Sequence, residues 1–316
     1  MTDFALTTPV AFIIFNRPDT TQKVFDEIAK ARPLKLLVIG DGARENRPGE
    51  AERVAATRAI IQKVNWPCEV LCNFSDLNLG CKVRVSSGID WVFEQVPEAI
   101  ILEDDCLPDP SFFRFCQELL EKYREDHRVG MISGDNFQFG RRYNEDSYYF
   151  SRYMHIWGWA TWRNRWIGSY DVRMSDWPSM RNSTPLLDIL DDTREVAIWK
   201  DIFEKTYEGR IDTWDHQWSY ANWIRGRLNI LPAVNLISNI GFGVDATHTV
   251  RGNHLANLAT HTMSFPLSHP LKLTNNRAAD AYTRDRWFMR PLWLKVFDRL
   301  QYFLVDLSKS LQRFLR

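Results

Sequence analysis

Glu103, Asp104 and Asp105 place three consecutive carboxylates at the end of the short apolar run Ala99-Ile100-Ile101-Leu102. Like charges this close are costly unless a cation holds them. The run is too short for a helix and carries β-branched residues, so it reads as a buried strand with the triplet at its carboxyl end. In an open α/β sheet, ligands bind outside that end. A hard divalent ion taking one or two carboxylates plus substrate phosphates is a recurring use of such a cluster. The chemistry this points to is a metal-assisted reaction of a nucleotide or sugar phosphate. A competing reading makes the triplet an acidic turn ahead of Pro108, with Asp109 and Ser111 capping the next helix.

A triplet of this kind acts only where strands set it beside other polar loops. Residues 1–130 alternate accordingly, with strands expected at 9–15, 34–39, 68–74 and 99–102. Helices are expected from about 18 to 31, over 53–64, over 86–96 and over 112–123. Strands separated by helices of this length imply right-handed crossovers and a parallel sheet. The polar residues after each strand then converge on one rim: Asn16 and Arg17, Asp41, and Asp104 with Asp105. Beyond residue 130 the pattern changes to short strands at 129–133 and 147–151, Trp-rich loops, and a largely helical stretch over 186–207. No linker separates this half, which is expected to complete the same sheet and form the acceptor side.

The 316 residues are 45% hydrophobic, enough for a large core in one domain or one domain with an appendage, at roughly 100–200 residues per domain. Forty basic and forty acidic residues balance, so no overall field favours nucleic acid as a partner. The thirteen Trp, many of them between Trp157 and Trp223, suit either an aromatic core or a sugar-stacking cleft. Five cysteines without metal-ligand spacing argue against a zinc site or a disulfide framework and fit a reducing compartment. The first residues lack a signal-peptide pattern, and no apolar run approaches the roughly 20 residues that span a bilayer. A cytoplasmic location is therefore expected.

An ordered set of motifs carries a resemblance. It comprises Asn16-Arg17-Pro18, the Asp41 turn, Asn78-Leu79-Gly80, Glu103-Asp104-Asp105 followed by Pro108-Asp109-Pro110-Ser111-Phe112-Phe113, Gly158-Trp159-Ala160-Thr161-Trp162, and Thr213-Trp214-Asp215. Over residues 8–248 the chain resembles GT-A-type nucleotide-sugar glycosyltransferases. It looks closest to bacterial family 2-like enzymes and is similar also to the Golgi N-acetylglucosaminyltransferase I that starts complex N-glycans. The resemblance implies a Rossmann-like mixed α/β sheet flanked by helices. It further implies inverting transfer of a sugar from a nucleoside-diphosphate sugar, UDP favoured, to a glycan or lipid-linked acceptor, as in envelope polysaccharide synthesis.

Within that resemblance Asp105 takes the place of the ligand to Mn²⁺ or Mg²⁺, and Glu103 and Asp104 face sugar and ribose hydroxyls, for which ionised carboxylates are strong acceptors. Asp41 matches the base-binding position, Asn16 lies on the nucleotide rim, and Arg17 lies near base and phosphates. Lys82 stands where a positive charge reaches the pyrophosphate. Asp215 matches the base that takes the acceptor's proton. Trp159 and Trp214 line the acceptor or sugar pocket. Each has an ordinary alternative: Arg17 as a cap or partner of Asp19, Asp41 as a turn residue between glycines, Lys82 as a solvated residue, Asp212 and Asp215 as carboxylates favoured at a helix N-terminus, and the Trp residues as core. His216 is a rival base by its ordinary pKa near 6.5, and His248, after Gly241-Phe242-Gly243 and Asp245, a further metal ligand. Other readings of the rim are a nucleotidyltransferase, a glycosidase using two carboxylates, and a catalytically silent sugar-binding or membrane-docking protein.

The expected organisation is a catalytic domain over 1–275, with a nucleotide-sugar half at 1–130 and an acceptor half at 131–275, then an amphipathic helical segment at 276–316. In that segment apolar residues from Leu292 to Leu315 recur at helical spacing among Lys and Arg. Such a helix suits an anionic membrane surface, or equally packs on the catalytic domain or a second subunit.

Overall fold

The structure, a computed structural model, describes residues 4–183, 185–242 and 255–289. Strands β1 (Val10–Ile14), β2 (Lys35–Gly40), β3 (Glu69–Phe74) and β4 (Glu98–Glu103) alternate with helices α1 (Pro18–Ala31), α2 (Glu50–Ala59) and α3 (Gly80–Gln95). β1 pairs in parallel with both β2 and β4, and β2 with β3. β1 and the interior of β2 and β4 are continuous apolar runs, as parallel strands covered on both faces require. Their registers, Ile14 opposite Gly40 and Ile13 opposite Glu103, bring the carboxyl ends of β1, β2 and β4 to one level.

After β5 (Cys106–Pro108) and α4 (Ser111–Tyr123), the chain adds β6 (Val129–Ser133), β7 (Tyr148–Ser151) and β8 (Trp159–Trp162). Four short or medium helices follow and lead to a longer-buried fifth: α5 (Arg163–Trp166), α6 (Trp177–Met180), α7 (Pro185–Leu190), α8 (Thr193–Tyr207) and α9 (Asp215–Trp223). Then come β9 (Leu228–Pro232), β10 (Ile237–Asn239) and α10 (Arg277–Thr283). The second half completes the first half's sheet, as expected, giving an eight-stranded mixed sheet in the order β3-β2-β1-β4-β8-β6-β9-β7. This is the Rossmann-like α/β architecture with helices on both faces. Because β8 is antiparallel to both β4 and β6, β6 runs in the same direction as β4 and ends on the same rim.

Alternate side chains of each strand enter opposite cores. Phe12, Leu36 and Ile100 join α1 and α4 on one face, while Ala11, Leu37 and Ile101 join α3 and α9 on the other. Three helices depart from expectation. α3 begins at Gly80, six residues before the expected 86, because Asp41 at the end of β2 caps it from across the fold. The helix expected over 53–64 starts at Glu50 and tightens into a 3₁₀ turn over Ile60–Lys63. The stretch 186–207 is split into α7 and α8. Asp191 turns left-handed with φ 56°, and the Asp192 carboxylate accepts from the amides of Arg194 and Glu195, competing with continuation of the helix.

α10 is anchored through Asp280, fully buried, which accepts from Ser151 Oγ at 2.6 Å and Asn275 Nδ2 at 2.7 Å. Among the described residues no helix is long and apolar enough to cross a membrane. Of the amphipathic segment expected over 276–316, residues 290–316 lie outside the described residues.

Candidate functional site on the carboxyl rim of the sheet

The acidic triplet spans the end of β4 and the turn into β5. Parallel pairing of β1 with β4 sets the loop after β1 beside it, and three contacts join the two. The Phe15 amide donates to Asp104 Oδ2 at 3.1 Å, and Arg17 Nη1 lies 2.6 Å from Asp105 Oδ2 and 3.5 Å from Asp104 Oδ1. Burial pushes the Glu103 and Asp104 carboxyls upward, the charge of Asp105 adds to this, and Arg17 opposes it. Antiparallel pairing of β5 with β10 then carries the chain back over the triplet. The Ile240 amide donates to the Asp105 carbonyl at 2.8 Å, and a Cβ added at Gly241 would lie 2.0 Å from Asp105 Oδ2. Only glycine allows that approach.

Asp109, outside the triplet, is the local cap: its Oδ1 accepts from the Ser111 amide at 2.9 Å at the start of α4. The capping role weighed for this stretch thus falls on Asp109, outside the triplet.

Asp41 and Asn16 are engaged within the chain. Asp41 Oδ1 accepts from the amides of Gly42 and Leu79, each at 2.9 Å, and Oδ2 from the Gly80 amide at 3.0 Å and Asn78 Nδ2 at 3.1 Å. The carboxylate thus ties the Asn78-Leu79-Gly80 loop and the start of α3 to the end of β2. Lys82 stands in the first turn of α3, half-buried, with no ion-pair partner among the described residues. Asn16 Nδ2 donates to Glu50 Oε1 at 2.9 Å.

Glu50 itself escaped sequence reading, since a Glu in the first turn of a helix is ordinarily a solvated residue. Here it is fully buried, accepts from the Arg44 amide at 2.8 Å and from Arg44 Nε at 2.9 Å, and is held down to about 2, first by the Arg44 side chain. A carboxyl whose folded pKa lies below its unfolded value stabilises the fold above the unfolded pKa, and that stability is lost as pH falls toward the folded one. Replacing Glu50 with Gln is expected to remove about 2–3 kcal/mol at pH 7. It should also flatten the fall in stability between pH ~4.5 and ~2. Urea unfolding of both proteins across that range checks this, and parallel acid limbs would refute it.

Asp215 opens α9 and accepts from Thr213 Oγ1 and from the His216 amide at 3.0 Å. His216 packs the other way, with Nδ1 3.2 Å from Thr206 Oγ1. The charge of Asp215 reaches Glu103, and both converge with Asp212 and Asp41 on Cys81. Burial first, and then these four carboxylates, push that thiol up to about 12. These carboxylates belong to the turn after β2, the end of β4 and the start of α9.

The expected sugar-facing role of Trp159 and Trp214 is corrected. Their exposures are 1% and 2%; Trp159 stacks on Trp214 at 5.6 Å, with Trp166 and Trp218 around them. A sugar needs an open ring face, and these rings have none. They form the core that seats α9 and so sets the height of Asp215. Trp162 is likewise buried, its Nε1 donating to the Leu120 carbonyl at 3.1 Å, whereas Trp157 is half-exposed. Asp245 and His248 lie outside the described residues.

Among the described residues no three His, Cys, Asp or Glu side chains converge to enclose a metal. The Asp105 carboxylate, on the rim beside Asp104 and Glu103, fits a hard divalent ion held by one or two carboxylates whose shell is completed by phosphate and water.

No family model matches the chain, and no curated protein matches it. Among solved structures it is similar to UDP-glucose pyrophosphorylase complexed with UDP-glucose. That match has 11% identity and a TM-score of 0.26, and covers 46% of this chain and 66% of that one. It is also similar to apo UDP-glucose pyrophosphorylase, with 10% identity and a TM-score of 0.29, over 49% of this chain and 77% of that one. The chain thus spans just under two thirds of the first of these.

Proposed function

We propose that this protein is an inverting, metal-dependent glycosyltransferase that moves a sugar from a nucleoside-diphosphate sugar, UDP favoured, to a hydroxyl of a glycan or lipid-linked acceptor. The observation that carries the reading is the Arg17 guanidinium set against Asp104 and Asp105 where β4 ends, on the carboxyl rim of the sheet. Asp104 and Glu103 accept from ribose and sugar hydroxyls. Arg17 and Lys82 face the pyrophosphate, and Asn16 and Asp41 shape the rim that receives the nucleoside, Asp41 by holding residues 78–80 in place. Asp105 would hold Mn²⁺ or Mg²⁺, which when bound offsets the charge growing on the departing nucleoside diphosphate. Asp215 takes the proton from the acceptor hydroxyl as that oxygen attacks the anomeric carbon from the side opposite the leaving group.

Calorimetry of UDP, GDP, CDP and dTDP, with and without Mn²⁺, tests the donor site. One nucleotide is expected to bind in a Mn²⁺-dependent way, and Asp105→Ala to weaken it by about tenfold or more, the equivalent of one lost charge-assisted contact. Failure of all four to bind overturns the reading. Two incubations then separate transfer from nucleotidyl chemistry: with the matching sugar nucleotide, release of nucleoside diphosphate is expected, whereas release of pyrophosphate in a second incubation supplied with nucleoside triphosphate and sugar phosphate would replace transfer with nucleotidyl transfer.

A further inference from the structure

We propose that the acceptor's sugar ring is held in an aromatic recess formed by Phe137, Trp157, Phe242 and Trp287, next to Asp105. The inference rests on the glycosyltransferase reading and names the acceptor side of that site. β6 ends on the same rim as β4, and its continuation meets the chain returning into β8. The Gly134 amide donates to the Gly158 carbonyl at 2.8 Å, Ser133 Oγ to the His155 carbonyl at 2.8 Å, and the Trp157 amide to Asp135 Oδ2 at 3.1 Å. These contacts hold Phe137, His155 and Trp157 together on the rim. Phe137 stacks on His155 at 4.3 Å and meets Trp157 edge-on at 5.1 Å. Trp157 meets Phe242 edge-on at 5.7 Å, and Trp287 closes the other side 6.1 Å from Phe137.

Three features favour a sugar over ordinary core packing. First, three of the four rings keep some surface in solvent: Trp157, Phe242 and Trp287 are half-buried around the buried Phe137, and the neighbouring Phe139, stacked on Trp287, is 39% exposed. The buried Trp159 group contrasts with this. Second, the recess is continuous with the acidic site, because Phe242 follows Gly241, whose backbone lies against the Asp105 carboxylate. Third, a polar pair lies behind the Phe137 ring. His155 is 8% exposed, and its Nδ1 lies 2.8 Å from Oδ1 of the fully buried Asp135. Partly open apolar ring faces beside an acidic rim match a pyranose, which offers C–H groups on its faces and hydroxyls around its rim. The position also fits the reaction. The nucleotide rim lies over β1, β2 and β4, while the recess lies over β6 and the start of β8, on the other side of Asp105.

Saturation-transfer NMR with the methyl β-glycosides of glucose, galactose, N-acetylglucosamine and mannose tests the recess, on the full chain with UDP and Mn²⁺ present. At least one glycoside is expected to take up saturation from the wild type and from Ile167→Ala, a surface change on the turn after α5. Phe242→Ala and Trp287→Ala, on separate segments, are each expected to weaken it by about fivefold, the value of one aromatic contact. Calorimetry on the same samples reports nucleotide binding. If the nucleotide binds and no glycoside does, or if both variants bind glycoside as the wild type does, the recess is overturned while the donor site stands. Failure of the nucleotide to bind overturns the donor reading itself, with glycoside transfer still reporting on the recess.

Discussion

Asp215→Asn is expected to lower the rate of nucleoside diphosphate release by ~10²–10⁴-fold, the usual contribution of a positioned general base, with nucleotide affinity unchanged. The amide keeps the size of the side chain and can still accept from the His216 amide, so α9 starts as before. What it loses is the capacity to take a proton. His216→Ala separates the two neighbouring candidates. His216 contacts Thr206 through Nδ1 and serves Asp215 only through its main-chain amide, so its removal should leave the rate within about threefold of wild type. Rates measured with the sugar nucleotide that binds, alongside calorimetry, check both. An Asp215→Asn protein with full turnover would remove Asp215 as the base, and a large loss in His216→Ala would transfer the role to the imidazole.

Removing the Arg17 guanidinium should have the largest effect on stability. Arg17, Asp104 and Asp105 are all largely buried, and Arg17 Nη1 lies 2.6 Å from Asp105 and 3.5 Å from Asp104. Truncating one partner of such an arrangement leaves uncompensated charge away from water, at a cost of about 3–5 kcal/mol. Arg17→Ala is therefore expected to lower the melting temperature by roughly 5–10 °C at this chain length. A divalent cation binding the same carboxylates would recover part of that loss, so Mn²⁺ should raise the melting temperature of the variant more than that of the wild type. Thermal unfolding of both proteins with and without Mn²⁺ decides it. A variant as stable as the wild type would mean that the triplet needs no cation. Equal shifts on adding Mn²⁺ would place the ion elsewhere.

Much of the architecture was legible because it is written in local patterns. β1, β2 and β4 are short, almost wholly apolar runs followed by polar turns, and such runs separated by helices admit few arrangements other than a parallel sheet. The triplet's place at the carboxyl end of β4 and the position of Asp215 at the start of α9 follow from the same periodicity. Helix limits were less legible where a residue distant in sequence sets them, as Asp41 does for α3.

What the sequence by itself determined is the order of the elements and the kinds of chemical group at their ends, since apolar periodicity and turn residues act over a few positions. The tertiary structure decided which of those groups are partnered and which are open. It joined Arg17 to Asp105, gave Asp41 its four donors, and buried Glu50 against Arg44. It also covered Trp159 and Trp214 while leaving Trp157, Phe242 and Trp287 half-exposed. A tryptophan or a carboxylate has the same type and spacing whether its surface faces water or another side chain. That difference arises from contacts between segments far apart in the chain, which only the folded sheet brings together.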